Sequence, residues 1–299
     1  MGRRYTRVIT TPAAARIPRD WNRPFVSMLS DWGARDPSAA ICRAIVLGIA
    51  PDALIVDITH EVDKFNVRHG ALLLWCALPF MPIGAHMAVV DPGVGTARRP
   101  IALETERGDY LVGPDNGLLL AGAERLGGVT RCHVIENPQY RLPVLSATFH
   151  GRDLFAPAAA HLSGGVPLEQ LGPSIEPDEL ATLDWSPITV GEGMLETAVI
   201  YCDTFGNVKL AGLTSDLTEA LGFLEPGMAL TIHLGDGPRR RTEQVTWQHS
   251  FGHLPVGQRM LYEDSYGRLC IAENQGNAAR SLQLEDGTPV AIGRSQAAG

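Results

Sequence analysis

Apolar segments alternate with amphipathic segments over the first two thirds of the chain. Short apolar runs bounded by glycine and proline are typical of buried strands, whereas apolar residues spaced three or four apart are typical of helices. Their alternation predicts a Rossmann-like α/β domain, with a mostly parallel sheet and flanking helices. The predicted strands cover 24–30, 53–59, 85–90, 101–105, 110–112 and 129–135, and the predicted helices cover 37–49, 67–78, 117–126 and 152–162.

The pattern changes after residue 165, where proline, glycine and acidic residues become frequent. This composition predicts a linker at 166–193 between an α/β domain at 24–165 and a second domain at 194–296. The second domain has short strand-like runs separated by glycine turns, which predicts a small all-β barrel or sandwich. Its predicted strands are 195–201, 229–234, 243–247, 268–272 and 289–292.

Composition excludes several classes of protein. The chain has 299 residues, 45% of them apolar, and a formal net charge of −8, which argues against a general nucleic-acid binder. The longest apolar run, 70–82, is too short to span a bilayer and contains two prolines. The five cysteines are scattered, so neither a disulfide framework nor a zinc site is expected, and we expect a reducing, cytoplasmic setting.

The first 23 residues contain six arginines and one acidic residue, without an apolar segment typical of a secretory signal. We interpret them as a basic N-terminal extension, with a transit peptide as the alternative.

The turn at 91–99 carries the clearest candidate chemistry. Asp91 follows an apolar strand, where open α/β sheets bind their ligands, and two glycines and a proline make the turn tight enough for close approach to a small molecule. Arg98 ends the turn, and a second polar cluster with His150 precedes the next amphipathic helix. The alternatives are a surface ion pair between Asp91 and Arg98 and a structural histidine at a helix entry.

Two further segments suit a nucleoside. Asp31 ends the first strand and could accept hydrogen bonds from ribose hydroxyls, although it could equally cap the following helix. The segment from Asp203 to Asn207 combines a glycine turn, an aromatic ring, an amide and a carboxylate, which suits an adenine ring or a plain β-hairpin turn. The histidine spacing implies no metal, and no complete phosphate-binding glycine motif is present.

Several long motifs, in the same order, resemble the S-adenosyl-L-methionine (SAM) hydroxide adenosyltransferase family, whose relatives include fluorinase and chlorinase. The resemblance extends over about residues 24–295. The motifs are Ser30-Asp-Trp-Gly33, Val56-Asp-Ile-Thr-His60, Val90-Asp-Pro-Gly-Val-Gly-Thr-Ala-Arg-Arg99, Val112-Gly-Pro-Asp-Asn-Gly117, Thr148-Phe-His-Gly-Arg-Asp-Leu-Phe-Ala-Pro157, Asp203-Thr-Phe-Gly-Asn207 and Ser265-Tyr-Gly-Arg-Leu-Cys-Ile-Ala-Glu-Asn274.

The resemblance implies a metal-free and cofactor-free enzyme that hydrolyses SAM to adenosine and L-methionine and that forms a homotrimer. The preferred substrate is either the (R)-sulfonium epimer or the opposite epimer. The alternatives are a non-catalytic adenosine- or SAM-binding protein and a halogenase. The implied catalytic residues are Asp91, Arg98 and His150, and the implied substrate contacts are Asp31, Asp91, Asp203, Asn207, Ser265, Tyr266 and Glu273.

Two departures from the halogenating relatives argue against a halide site. Those relatives carry an aromatic residue where this chain has Asp91, and an arginine where it has Tyr266.

Overall fold

The computed structural model describes residues 3–5 and 23–295, which form two compact units. Residues 23–183 form the first unit, and residues 184–295 with residues 3–5 form the second. The boundary lies inside the predicted linker, whose residues contribute one strand to each sheet. Of the predicted N-terminal extension, residues 1–2 and 6–22 lie outside the described residues.

The first described strand, β1 (Arg3–Tyr5), belongs to the second unit. The first unit contains β2 (Phe25–Ser30), α1 (Ser38–Ile49), β3 (Leu54–Thr59), α2 (Val67–Ala77), β4 (Ala85–Val89), β5 (Pro100–Thr105), β6 (Tyr110–Pro114), α3 (Leu120–Arg125), β7 (Val129–Val134), α4 (Ala156–Ser163) and β8 (Ser174–Ile175).

The first unit is built on a seven-stranded sheet in the order β3-β2-β4-β6-β5-β7-β8. The four strands β3, β2, β4 and β6 are parallel, β5 is antiparallel to its neighbours, and β7 again runs in the direction of β6. All six residues of β2 are buried, as expected for a strand covered on both faces. The predicted α/β class with a mostly parallel sheet is confirmed.

The chain reverses its path across the sheet at β2. The connection through α1 leads to β3 on one side of β2, and the connection through α2 leads to β4 on the other side. Because such crossovers are right-handed, α1 and α2 cover opposite faces, where α1 packs against α4 and α2 against α3. A crevice is expected at the carboxyl ends of β2 and β4, where Asp31 and Asp91 follow their strands.

The second unit closes into a β-barrel. Its elements after β1 are β9 (Ile188–Gly191), β10 (Met194–Cys202), β11 (Val208–Leu213), α5 (Thr214–Leu221), β12 (Ala229–Leu234), β13 (Arg241–Trp247), β14 (Arg259–Glu263), β15 (Arg268–Glu273), α6 (Ala278–Ser281) and β16 (Pro289–Arg294).

Seven of these strands form the closed ring β10-β11-β15-β14-β13-β12-β16, because β10 pairs with both β11 and β16. β9 adds to β10, and β1 adds to β9. Closure removes the exposed edges of the ring and leaves a packed apolar interior. Its buried residues include Leu195, Val199, Leu210, Leu230, Ile232, Leu261, Ile271 and Val290.

Within the described residues, no helix combines the length and the hydropathy that crossing a membrane requires.

Candidate active site

The turn after β4 is fixed by its own backbone. The Thr96 amide donates to the Gly93 carbonyl oxygen at 3.2 Å, and the Thr96 hydroxyl donates to the same oxygen at 2.6 Å. Gly95 has φ +79°, and a Cβ there would lie 2.5 Å from the Ala147 carbonyl oxygen. Only glycine therefore fits this position. The turn that carries Asp91 thus lies close against the backbone of the loop that leads to His150.

Asp91, Arg98 and His150 lie together in the first unit. Arg98 Nε donates to Asp91 Oδ1 at 3.2 Å, and Arg98 Nη2 donates both to Asp91 Oδ2 and to His150 Nδ1, the latter at 3.0 Å. The Arg98 and Asp91 side chains are only 7% and 5% exposed. The ion pair between Asp91 and Arg98 is therefore present, but it is buried rather than on the surface.

The hydrogen bonds define the protonation of His150. Because a guanidinium group only donates, His150 Nδ1 must accept, and the neutral ring carries its proton on Nε2. Burial lowers the pKa of His150, and the nearby positive charge of Arg98 lowers it further, against the opposing effects of Asp91 and Asp153. His150 is therefore held in its neutral form.

Arg98 also carries a buried donor that no described residue pairs. Its Nη1 atom has no hydrogen-bond partner, while its guanidinium carbon lies 5.4 Å from the centre of the Phe155 ring. A buried unpaired donor costs about 1–3 kcal/mol, so an oxygen atom of water or of a ligand is the expected acceptor. Charge, burial and a free N–H are thus combined next to Asp91 and His150.

His150 directly precedes a π-helical turn, Gly151–Phe155, that continues into α4. Within this turn, the fully buried Asp153 accepts from the Ser146 amide and from Arg152 Nε, both at 2.6 Å. Burial raises the pKa of Asp153, but these hydrogen bonds outweigh it and the net shift is downward. Asp153 had no predicted role, although its carboxylate fixes both ends of the loop that contains His150.

Asp31 lies after β2 and is 8% exposed. Its Oδ2 atom accepts from the Phe65 amide at 3.0 Å, and its carbonyl oxygen accepts from Lys64 Nζ. The Ser38 amide at the start of α1 instead donates to Asp36 Oδ1, at 2.8 Å. Asp31 therefore does not cap α1, and its carboxylate braces the segment before α2.

The Asp203–Asn207 segment is a turn between the antiparallel strands β10 and β11, as the hairpin interpretation predicted. Asp203 Oδ1 accepts from the amides of Phe205 and Asn207, both at 2.9 Å, and Asp203 Oδ2 accepts from Asn207 Nδ2 at 2.9 Å. The Phe205 residue is 78% exposed. The turn therefore presents an aromatic ring beside a fixed amide.

Ser265 and Tyr266 lie on the turn between β14 and β15. Ser265 is exposed, and the Tyr266 amide donates to Asp264 Oδ1 at 2.8 Å. Lys209 Nζ pairs with Asp264 and lies 5.2 Å from the centre of the Tyr266 ring. Lys209 and Asp264 were not predicted, because a single lysine in an apolar strand gives no signal of its partner.

Glu273 lies at the end of β15, where its Oε2 atom accepts from Ser281 Oγ at 2.7 Å. The predicted site residues thus occur in both units. Asp31, Asp91, Arg98 and His150 belong to the first, and Asp203, Asn207, Ser265, Tyr266 and Glu273 belong to the second. Among the residues that the structure describes, no group of three or more His, Cys, Asp or Glu side chains is arranged to bind a metal ion.

The sequence matches two domains of one family. Residues 26–172 match the SAM hydroxide adenosyltransferase N-terminal domain, and residues 197–291 match the C-terminal domain. An (R)-S-adenosyl-L-methionine hydrolase from Thermus thermophilus is 41% identical over 89% of this chain and 98% of its own length. A protein of the same name from Salinispora arenicola is 38% identical, over 90% of this chain and 97% of its own length.

A fluorinase from Actinopolyspora mzabensis is more distant, at 28% identity over 92% of this chain and 99% of its own length. Among solved structures, an uncharacterized conserved protein from Thermotoga maritima matches with a TM-score of 0.81 and 36% identity, covering 89% of this chain and 99% of that one. The chain belongs to the SAM hydroxide adenosyltransferase family.

Proposed function

We propose that this chain hydrolyses SAM to adenosine and L-methionine. The observation that carries the proposal is the buried, unpaired Nη1 donor of Arg98, held beside Asp91 and the neutral His150. Relatives that are 38% and 41% identical over most of this chain are named (R)-S-adenosyl-L-methionine hydrolases, which supports the same activity.

Methionine leaves readily from the sulfonium of SAM, whereas water is a poor nucleophile. The enzyme therefore has to activate the water rather than the leaving group. Water oxygen attacks the ribose C5′ carbon, and the C5′–O bond forms as the C5′–S bond breaks. The electron pair of the broken bond goes to sulfur, so the sulfonium becomes the neutral thioether of methionine. One proton of the water is released, and the task of the protein is to remove it while it stabilises the hydroxide that remains.

Arg98 stabilises hydroxide through its fixed set of donors but cannot take a proton. Asp91 orients the water and shares its proton, since each carboxylate oxygen accepts more than one hydrogen bond. His150, which is held in its neutral form, relays that proton as the second base of the site. The buried setting strengthens each of these interactions relative to water.

We assign the adenosine contacts to the residues that the family resemblance implies. Asp31 accepts from the ribose hydroxyls, Asn207 and the backbone near Glu273 contact the base, and the Asp203 carboxylate fixes the turn that presents Asn207. Ser265 lies near the amino-acid end of the substrate, and Tyr266 beside it is a further substrate contact. The exposed Phe205 ring and the buried Lys209–Asp264 pair support these roles.

Three finer features belong to the proposal. The enzyme prefers the (R)-sulfonium epimer, as the names of the relatives suggest. It needs no metal or organic cofactor, because Arg98 supplies the positive charge that hydroxide requires, so treatment with a chelator should leave turnover unchanged. It is a homotrimer, which light scattering of the active protein would test.

The direct test is incubation of the purified protein with each resolved SAM epimer, followed by separation of the products. We expect adenosine and methionine in equal amounts, faster from the (R) epimer, and no 5′-halo-adenosine in concentrated chloride or fluoride. An Asp91→Asn variant provides the control for a contaminating activity. Stoichiometric retention of SAM without release of adenosine would overturn hydrolysis and identify a binding protein.

A further inference from the structure

Trp32 connects the segment that follows β2 to the segment that carries His150. Its ring stacks on His60, with 5.9 Å between the ring centres and 4° between the ring planes. It also meets Phe149 edge-on, at 5.7 Å and 90°. A Cβ placed on Gly151 would lie 2.5 Å from Cζ2 and 2.8 Å from Cη2 of the indole. The indole therefore lies directly against the Gly151 backbone.

Phe149 and Gly151 are the two residues on either side of His150. Trp32 thus contacts the chain just before and just after the histidine. On its other side, the indole rests on His60, whose Nδ1 atom is hydrogen-bonded to Ser30 Oγ at 2.7 Å. The indole is consequently held from both sides.

The backbone on either side of Trp32 is also hydrogen-bonded. Asp31 directly precedes Trp32, and Gly33 directly follows it. The Gly33 amide donates to the His60 carbonyl oxygen at 2.6 Å, and the Phe65 amide donates to Asp31 Oδ2 at 3.0 Å. The backbone around Trp32 is therefore fixed on both sides of the residue. Because this backbone is fixed, a displacement of the indole would shift the loop that contains His150.

We propose that Trp32 is a positioning residue for His150: the indole packs on Phe149 and Gly151 and thereby holds His150 Nδ1 at hydrogen-bond distance from Arg98. This inference rests on the proposed hydrolysis of SAM, for which it adds a residue outside the catalytic trio. It also gives a reason for glycine at position 151, because any side chain there would occupy the space of the indole.

The contact distances indicate how large the effect is. Carbon atoms in ordinary contact are about 3.5–4.0 Å apart, so an alanine at 151 must displace the indole or the His150 segment by about 1 Å. The hydrogen bond from Arg98 Nη2 to His150 Nδ1 is 3.0 Å long and does not survive such a shift unchanged. Misplacement of a catalytic group by about 1 Å lowers rates by up to about 100-fold.

The test is a double-mutant cycle with Gly151→Ala, Trp32→Phe and the combined variant. We expect Gly151→Ala to lower kcat by about 10- to 100-fold, with KM nearly unchanged. Trp32→Phe removes the ring atoms that a Cβ at 151 would meet, so the combined variant should have a higher kcat than Gly151→Ala alone. The matched control is Gly48→Ala in α1, where a Cβ meets no atom within 4 Å, and it should behave as the wild type.

A second measurement follows His150 directly, by NMR titration of its ring in the wild type and in Trp32→Phe. Arg98, Asp91 and Asp153 are the charged groups that act on this ring. None of them changes in the variant, so water reaching the ring should raise the pKa of His150 toward the ordinary histidine value. This measurement needs no turnover and remains informative if Gly151→Ala fails to fold.

Three outcomes would overturn the role of Trp32: wild-type kcat in Gly151→Ala, a combined variant no faster than Gly151→Ala, or an unchanged His150 titration in Trp32→Phe. A purely structural role would lower the melting temperature without rescue of kcat in the combined variant. Absence of adenosine release from the wild type would instead refute the proposed function, and the His150 titration would still decide the role of Trp32.

Discussion

The two groups of candidate residues differ in where their hydrogen bonds go. In the first unit, Asp91 and His150 are bonded to the guanidinium of Arg98, and the Arg98 and Asp91 side chains are almost fully buried. In the second unit, Asp203 uses its carboxylate to fix its own turn, which leaves Phe205 exposed. We therefore propose that the first group performs the charge chemistry and that the second group recognises the substrate.

Because of this difference, substitutions in the two groups should affect different kinetic parameters. Groups that stabilise developing charge act mainly in the transition state, so their loss lowers kcat. Groups that bind substrate equally before and during reaction act on KM. If both groups serve one substrate, substitutions in the first unit should lower kcat and substitutions in the second should raise KM.

The largest effect is expected for Arg98→Lys. Lysine keeps the positive charge but loses the fork of donors that contacts Asp91 and His150 and that, in the proposed mechanism, binds the attacking oxygen. Loss of one preorganised donor costs about 2.7–4 kcal/mol of transition-state stabilisation, so kcat should fall by roughly 100- to 1000-fold while KM changes little. Steady-state kinetics of adenosine release, with the melting temperature recorded for each protein, measures both effects.

Arg99→Lys is the matched control for this substitution. Arg99 also bonds a carboxylate, with its Nε atom 2.8 Å from Asp115 Oδ2, but its side chain is 36% exposed and lies outside the trio. We expect nearly normal turnover from this variant. Equal losses of kcat in the two variants would mean that the turn, rather than the guanidinium of Arg98, limits the reaction.

The next largest effect is expected in the dependence of kcat/KM on pH. Burial and Arg98 lower the pKa of His150, so the ring stays neutral to a pH below the ordinary histidine value of about 6.5. If the neutral ring is required, kcat/KM should be constant above that lowered pKa. It should then decrease with falling pH by up to about tenfold per unit, as the protonated fraction grows.

A His150→Gln variant should lose this decrease of kcat/KM at low pH, whereas His161→Gln should retain it. Burial also lowers the pKa of His161, whose ring contacts Tyr140 with 5.0 Å between the ring centres, so this control tests a second buried histidine. If the decrease persists in His150→Gln, another group is responsible for it.

The smallest effect is expected for Asn207→Ala, in the second unit. One hydrogen bond between neutral groups contributes about 1 kcal/mol, so KM should rise by roughly fivefold with kcat nearly unchanged. Asn137→Ala, in a turn of the first unit where Asn137 Nδ2 donates to the Gln170 carbonyl oxygen at 2.8 Å, is the control and should leave KM unchanged. A fall in kcat alone in Asn207→Ala would contradict a binding role.

The sequence predicts the first unit well, because its strands are apolar runs separated by amphipathic helices. β2, β3 and β4 lie within one residue of their predicted bounds. The second unit was harder to predict. Polar Lys209 and a glycine interrupt the apolar pattern of β11, and β14 begins with Arg259, so neither strand was predicted. Closure of a barrel depends on pairing between distant strands, which local patterns do not encode.

The site shows the same distinction. Asp91 and Arg98 share one turn, so their proximity could be predicted from spacing. The polar cluster before the next helix indicated His150, and the family resemblance implied that His150 acts together with them. The burial of the ion pair and the unpaired Nη1 of Arg98 could not be predicted, because both depend on packing against Phe155 and the loop before His150. The role of Trp32 could not be predicted either, since its contact with Gly151 joins segments more than a hundred residues apart in the chain.

Activation of water is tested most directly by one turnover of SAM in water labelled with heavy oxygen. Attack of an activated water at C5′ predicts that the label appears in the 5′-hydroxyl group of adenosine and is absent from methionine. The same experiment with Arg98→Lys should give the same position of the label at a greatly reduced rate. Label in methionine, or an Arg98→Lys enzyme that turns over at the wild-type rate, would contradict activation of water by Asp91, Arg98 and His150.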